Sequence, residues 1–431
     1  MSISSFPGMK PQFISLRIRS YPLTVYEKLY QREDVSFMYE SLESKGERGR
    51  YSFIGAKPFI LYKSKGERIE MEVMGRRYRE KGNPVERLRQ ILQEYKVAHP
   101  DLPVFCGGAV GYFAYDAVRF FEDIPDENHD EMNTPDCYFI FPSEIIIFDY
   151  KEEVVHIILY ADNVHKKRLE ELRSIVETCT EDIEFESCKT HTSLTFESNF
   201  TEESFCEIVK KAKAYIYSGD ICQAVLSQRL KCHVEKEPIH IYKALRATNP
   251  SPYMVYLRLG DLSILGSSPE VLAKLIDGVV TTRPLAGTRP RGRTTEEDRQ
   301  FEEDLLKDEK ERAEHIMLVD LARNDIGRVC QYGSVKVTEL LQIEKYSKVM
   351  HIVSNVEGQL MENKDAFDVL RAAFPAGTVS GAPKIRAMEI IDELEPARRG
   401  IYAGAIGYFS FSGNMDTCIT IRTIVLNKQT G

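Results

Sequence analysis

The 431-residue sequence has no apolar run near the ~20 residues that a membrane span needs, and its N-terminus lacks the pattern of a signal peptide. It has no basic excess. The 57 Lys and Arg face 66 Asp and Glu, a formal charge of −9, so no nucleic-acid partner is expected. It has no C-x-x-C pair, and its nine cysteines are an odd number, which argues against a disulfide framework or a zinc ribbon. Reduced thiols, a cytoplasmic location and no membrane partner follow as expectations. P-loops, dinucleotide fingerprints, internal repeats and low-complexity tracts are all missing, so phosphate and nicotinamide cofactors are not indicated. What is present is the composition of an ordinary globular protein, 43% apolar and 29% charged, with length for a large core.

The first third reads as short alternating segments. Ile69, Met71 and Val73 share one face with charge between them, the period of a half-buried strand. "CYFIFPSEIIIFDY" and "EEVVHIILYAD" predict neighbouring strands. A polar stretch over 180–204 then marks a linker. Beyond it, Phe205, Ile208, Val209, Ala212 and Ile216 predict a helix that stops at Gly219. "ICQAVLSQRL" predicts a strand, 295–323 one long charged helix, Pro383 the first turn of a shorter helix, and "MDTCITIRTIVL" a single strand. Strands mixed with separated helices indicate α+β.

Several groups carry chemical content. Glu311 and Glu314 lie three apart on the predicted charged helix and share a face, as two hard ligands for Mg²⁺ would. The same spacing also suits an ordinary solvated helix. "FPAGTVSGAPK" could gather backbone N–H groups of Gly377, Thr378, Ser380 and Gly381 around an anion, or simply start a helix well. His351, inside an apolar strand, is either a satisfied core residue or a proton-transfer group. Arg422 in "CITIRTIV" needs a partner if buried, and its planar fork suits a carboxylate. The turn-rich loop "RPLAGTRPRG" adds Gly287 and Thr288. Together these describe a pocket for a small polyanion with a divalent metal.

"GDICQAVLSQRL", "NPSPYM", "GSSPE", "RPLAGTRPRG", "AEHIMLVDLARNDIGRV", "EKYSKVMHIVSNVEG", "FPAGTVSGAPKIRAM" and "YAGAIGYFS" with "DTCITIRT" follow in order. They resemble the chorismate-utilising enzymes, most closely the large subunits of anthranilate synthases. "ESLESKGERGRYSFIG" and "GGAVGYFAYDAVRFFE" extend the resemblance over nearly the whole chain. It implies an α+β fold of two interwoven α/β domains around a β-sandwich with helices outside. The domains are expected at 10–180 (regulatory) and 195–431 (chorismate-binding, catalytic).

The resemblance also implies roles. Relatives that add water to chorismate carry a lysine base where this sequence has Gln223, and aminodeoxychorismate synthases carry a nucleophilic lysine where it has Ala286. With neither amine, the expected reaction is amination by external ammonia, giving anthranilate and pyruvate. The alternatives are aminodeoxychorismate synthesis or a non-catalytic tryptophan- or chorismate-binding regulator. Glu270 is implied as general acid and His351 as the group for pyruvate elimination, with Gln223 the third catalytic position. Gly287, Thr288, Thr378, Tyr402 and Arg422 would contact chorismate, and Glu314 with Glu311 would hold Mg²⁺. Feedback inhibition by L-tryptophan would use Ser41 beside Glu40, with Pro252, Tyr253 and Met254. Tyr39 stands there where leucine is usual. No glutamine-hydrolysing domain is visible, so a separate glutamine amidotransferase subunit would supply ammonia. Family members continue past the last residues here with another glutamate pair and a lysine, so the sequence is expected to be truncated at its C-terminus.

Overall fold

The computed structural model describes residues 10–42, 48–95, 103–161, 165–182, 194–346 and 348–428. Apart from two short two-stranded pairings, its described strands pair antiparallel into two sheets that share two long strands, Arg48–Lys65 and Cys137–Asp149. One sheet runs Lys10–Arg17, Val154–Ala161, the later half of Cys137–Asp149, the earlier half of Arg48–Lys65, Val35–Leu42, Tyr253–Leu259, Leu262–Ser268 and Thr423–Asn427. The other runs from Arg76–Lys81 and Arg68–Val73 across the remaining halves to Gly108–Phe113, Ala405–Ser410, Met415–Ile419, Val271–Ile276 and Val279–Thr282. It ends on Val349–Gln359, which takes Leu285–Pro290 beside Val279–Thr282 and Lys336–Lys345 on its other edge. The shared strands change sheets where the register shifts between Pro58 and Ile60. A bulge bends a strand at such a point, and Pro58 has no N–H to donate there.

Side-chain alternation explains the layers. Phe37, Phe53, Val255 and Leu257 of the first sheet meet Tyr112, Phe139, Ile406 and Met415 of the second in one core. Their neighbours in sequence, Met38, Ile54, Met254 and Tyr256, point the other way and are covered by the helices Pro22–Tyr30, Lys166–Thr178 and Pro238–Thr248. The expected α+β sandwich with outer helices is therefore present. Its interweaving is literal: Val35–Leu42 pairs with Tyr253–Leu259, and Gly108–Phe113 pairs with Ala405–Ser410. The polar stretch at 180–204 thus separates no two sheets, and its residues 183–193 lie outside the described residues.

Several local expectations are met. Ile69, Met71 and Val73 are buried on one face, and "CYFIFPSEIIIFDY" pairs with the strand after it. The helix Glu202–Ser218 ends at Gly219, whose φ of 87° closes it without a Cβ clash. Only Ile208 and Ala212 of its expected apolar face are buried, however, and Val209 and Ile216 remain exposed.

Other expectations are corrected. "ICQAVLSQRL" holds only the two-residue strands Gln223–Ala224 and Leu230–Lys231. The long charged helix is two, Thr295–Lys307 and Glu309–Gly327. Asp308 ends the first and caps the second by accepting from the N–H groups of Lys310 and Glu311 at 3.0 and 3.2 Å. An aspartate offers the backbone this alternative to a continuous helix. Pro383 is the N-cap of Lys384–Leu394 rather than part of its first turn. "MDTCITIRTIVL" splits into Met415–Ile419 and Thr423–Asn427 around Arg422, whose φ is 50°. "RPLAGTRPRG" is mostly the strand Leu285–Pro290, bulged between Ala286 and Thr288 at Gly287.

Candidate active site

The bulge at Gly287 organises one wall of the cleft. Its φ of 70° turns the carbonyl toward His351 on the neighbouring strand, whose Nδ1 lies 3.0 Å from Gly287 O and 3.0 Å from Thr288 Oγ1. A carbonyl oxygen only accepts, so Nδ1 carries the ring proton. Burial holds the imidazole pKa below its ordinary value, aided by the nearby Arg422 charge and opposed by the Gly287 hydrogen bond and Glu344. The ring is thus neutral at pH 7, and Nε2 is a free base. Nε2 is buried without a hydrogen-bond partner among the described residues, an arrangement that suits a proton acceptor awaiting a substrate.

Glu270 follows the strand Leu262–Ser268. It is buried, and desolvation pushes its carboxyl up to about 8 against the lowering effects of Thr378 and Arg422. Its Oε1 accepts from Thr378 Oγ1 at 2.9 Å. Glu270 is therefore an acid at neutral pH. Thr378 sits in the short turn Gly377–Val379. The N–H groups of Val379 and Ser380 bond within that turn to Ala376 O and Gly377 O, so they form no open anion cradle. Arg399, buried and paired with Glu395 at 2.6 Å, donates to Val379 O and braces the turn. Its guanidinium lies 5.6 Å from the ring centre of half-exposed Tyr402.

Gln223 and the carboxylates form another part of the site. Gln223 pairs with Ala382, four residues past Thr378, and its Nε2 donates to Glu314 Oε1 at 2.8 Å. The carboxylate accepts, which fixes the amide orientation and leaves Gln223 Oε1 buried without a partner among the described residues. Glu311 reaches the Gly287 bulge, where a Cβ would come within 3.3 Å of its Oε2. Both glutamates are half-buried on one face of Glu309–Gly327. No group of three or more metal-binding side chains gathers among the described residues. Two carboxylates beside an unpaired amide oxygen still fit a Mg²⁺ that keeps waters and takes further oxygens from a substrate.

Arg422 lies at the edge of this region. It is exposed at the mouth, beside Tyr346, Lys348 and the Asn249–Ser251 segment, and has no ion pair among the described residues. The kink between the two last strands turns it outward. Its charge is still felt by both Glu270 and His351. Ala286 is buried, and it presents only a methyl group.

The sequence reading missed three groups. Lys384 donates to Asp325 Oδ2 at 2.7 Å, a buried ion pair spanning 59 positions. His315 Nε2 lies 2.6 Å from Ser354 Oγ, locking the helix that carries Glu311 and Glu314 onto the sheet. Arg399 with Glu395 is the third. The first two lie inside quoted motifs, yet nothing local signals which residue each one meets, whereas Glu395 and Arg399 lie four apart between two of the motifs.

Away from the cleft, Ser41, Pro252, Tyr253 and Met254 line one cavity of about 320 Å³ with Glu40, Tyr39 and Asp416. Glu40 accepts from Tyr242 Oη at 2.7 Å and from Arg246, and Tyr253 Oη donates to Asp416 at 2.9 Å. Tyr39 Oη donates to Gly407 O at 3.3 Å along the wall.

The family model described as chorismate binding enzyme matches residues 35–431. Anthranilate synthase component 1 of Acetivibrio thermocellus is 47% identical over 94% of this chain and 85% of the relative, and that of Aquifex aeolicus is 46% identical with similar coverage. The solved structure of anthranilate synthase component I from Streptococcus pneumoniae superposes with a TM-score of 0.78 at 37% identity, covering 95% of this chain and 90% of that one. The menaquinone-specific isochorismate synthase of Escherichia coli, at 18% identity and TM-score 0.71, shares the fold. Among the described residues no helix is long and apolar enough to cross a membrane. The chain therefore belongs to the chorismate binding enzymes, on the branch whose curated members are named anthranilate synthase component 1.

Proposed function

We propose that this chain aminates chorismate with ammonia and releases pyruvate, yielding anthranilate. The observation that carries the reading is a pair of proton-transfer groups with shared neighbours: the Arg422 charge reaches both, and Tyr346 feels Glu270 while its ring lies 5.5 Å from that of His351. Glu270 is kept protonated by burial, and His351 is kept neutral with Nε2 unengaged. Glu270, hydrogen-bonded by Thr378, gives its proton to the departing C4 oxygen, which then leaves as water rather than hydroxide. Ammonia adds at C2. Gln223 cannot act as a base for water and Ala286 has no amine, which favours external ammonia over water addition and over the lysine-dependent route to aminodeoxychorismate. His351 Nε2 then takes the C2 proton as the enolpyruvyl group leaves and the ring becomes aromatic. Thr288 and Gly287 hold the imidazole in the required tautomer. Arg422, Thr378 and Tyr402 orient the substrate, with the exposed guanidinium at the mouth meeting a carboxylate. When bound between Glu311 and Glu314, Mg²⁺ would supply positive charge to the ring carboxylate.

An ammonia-supplying glutamine amidotransferase subunit is the partner consistent with relatives named component 1. The cavity around Ser41, Pro252, Tyr253 and Met254 suits L-tryptophan as inhibitor. It is apolar on one side, and Glu40 and Asp416 supply carboxylates for an ammonium group. The test is anthranilate fluorescence from chorismate, ammonium and Mg²⁺, with and without tryptophan. Anthranilate formation supports the reading. Aminodeoxychorismate as the end product, or no turnover, sinks it, and turnover unaffected by tryptophan removes the regulatory part.

A further inference from the structure

Beside Glu270 lies a second, smaller cavity of about 40 Å³. It is lined by Glu270, Thr282, Arg283, Gly377, Thr378 and Asp325 among others. None of Gln223, Glu314, His351 or Gly287 lines it, although Thr378 does. Most of its lining is apolar, with Leu318, Leu321, Ile326 and Ile419 among the walls, but Glu270, Thr282, Arg283, Asp325 and Thr378 give an ordered water polar partners there. Asp325 in the cavity lining accepts from Lys384 Nζ at 2.7 Å, and Lys384 also donates to Ala373 O at 3.2 Å. The Asp325 and Lys384 side chains keep 11% and 13% of their surface in solvent, which lets the pair exchange protons with water. Other charges face it as well. Arg328 acts on both members, Glu122 acts on Lys384, and Arg283 in the cavity wall is paired with Glu344. Burial raises the Asp325 pKa and lowers that of Lys384, which brings the two proton affinities toward each other.

We infer that Asp325 and Lys384 form a proton-return relay for Glu270. The inference rests on the proposed reaction, in which Glu270 must regain a proton each cycle. The Lys384 ammonium passes a proton to the Asp325 carboxylate, which passes one through cavity water to the Glu270 carboxylate. Neutral Lys384 then recovers a proton from solvent, so charge balances over the cycle. Neither residue touches substrate; both act through Glu270.

Two variants separate this role from a scaffolding one. Asp325→Asn keeps the shape but cannot shuttle a proton. Lys384→Arg keeps the ion pair but holds its proton too tightly to release it. Turnover is followed by anthranilate fluorescence from chorismate and ammonium, with imidazole buffer varied at constant pH. Both variants should lose kcat ten-fold or more, keep KM for chorismate within two-fold, and regain rate as imidazole rises. A wild-type rate in Lys384→Arg, or slow variants that ignore imidazole, would overturn the relay and leave the pair a structural clamp. Failure of the wild-type chain itself to make anthranilate would overturn the proposed reaction, and the relay with it.

Discussion

Replacing Glu270 with glutamine should make the protein less active and, above mildly acidic pH, more stable. The wild-type carboxyl is buried, accepts from Thr378, and is pushed up to about 8 from the ordinary 4.5. In the unfolded chain it ionises near the ordinary value. Between pH 4.5 and 8 the unfolded state therefore binds fewer protons than the folded one, and stability falls as pH rises. The slope is about 1.4 kcal/mol per pH unit for one group, and it is exhausted above pH 8, where both states are ionised. The contribution is complete below pH 4.5. Glutamine fills the same space and never ionises, so the variant lacks this slope. From pH 5.5 to 7.5 the stability of Glu270→Gln should rise relative to wild type by roughly 2–3 kcal/mol, read from urea melts at each pH. The same variant should lose on the order of 10²–10⁴-fold in kcat. A stability difference that stays constant across this range would refute the claim that Glu270 is folded in as a neutral acid.

Other perturbations follow from the same geometry. Gly287→Ala forces a side chain into φ 70°, with its methyl 3.2 Å from Ile352 Cδ1 and Leu305 Cδ1. It should cost about 1–2 kcal/mol in urea melts and raise the Mg²⁺ concentration for half-maximal rate. Because the His351 pKa is lowered, kcat/KM should stay level as pH falls through 6.5 and drop only below it. The stability contribution of neutral His351 is full above pH 6.5 and lost below it, and His351→Gln should remove that acid-side slope. Arg399→Lys loses the fork that binds Glu395 and Val379 O together. A loss of roughly 2–4 kcal/mol with a higher KM for chorismate is expected, and an unchanged KM would mean that the Thr378 turn stands without it.

Much of this molecule was legible without coordinates because its signals are local. Period-two alternation marked Ile69, Met71 and Val73, Gly219 closed its helix, and "GSSPE" and "KVMHIV" carried Glu270 and His351 in recognisable surroundings. The shortfalls share a cause: one backbone choice overrode a good periodic pattern. Asp308 capped a helix that charge patterning would have continued, and Arg422 at φ 50° broke a β-branched run and sent its guanidinium outward. Sequence alone determined which residue types are available to the chemistry: a carboxyl at 270, an imidazole at 351, an amide at 223 and no amine at 286. Only the tertiary structure decided their protonation and aim. Burial of Glu270, the Gly287 carbonyl opposite His351 and the Lys384–Asp325 pair all arise from segments tens to more than a hundred residues apart. Desolvation and hydrogen bonding depend on what folds against a residue, not on its neighbours in the chain.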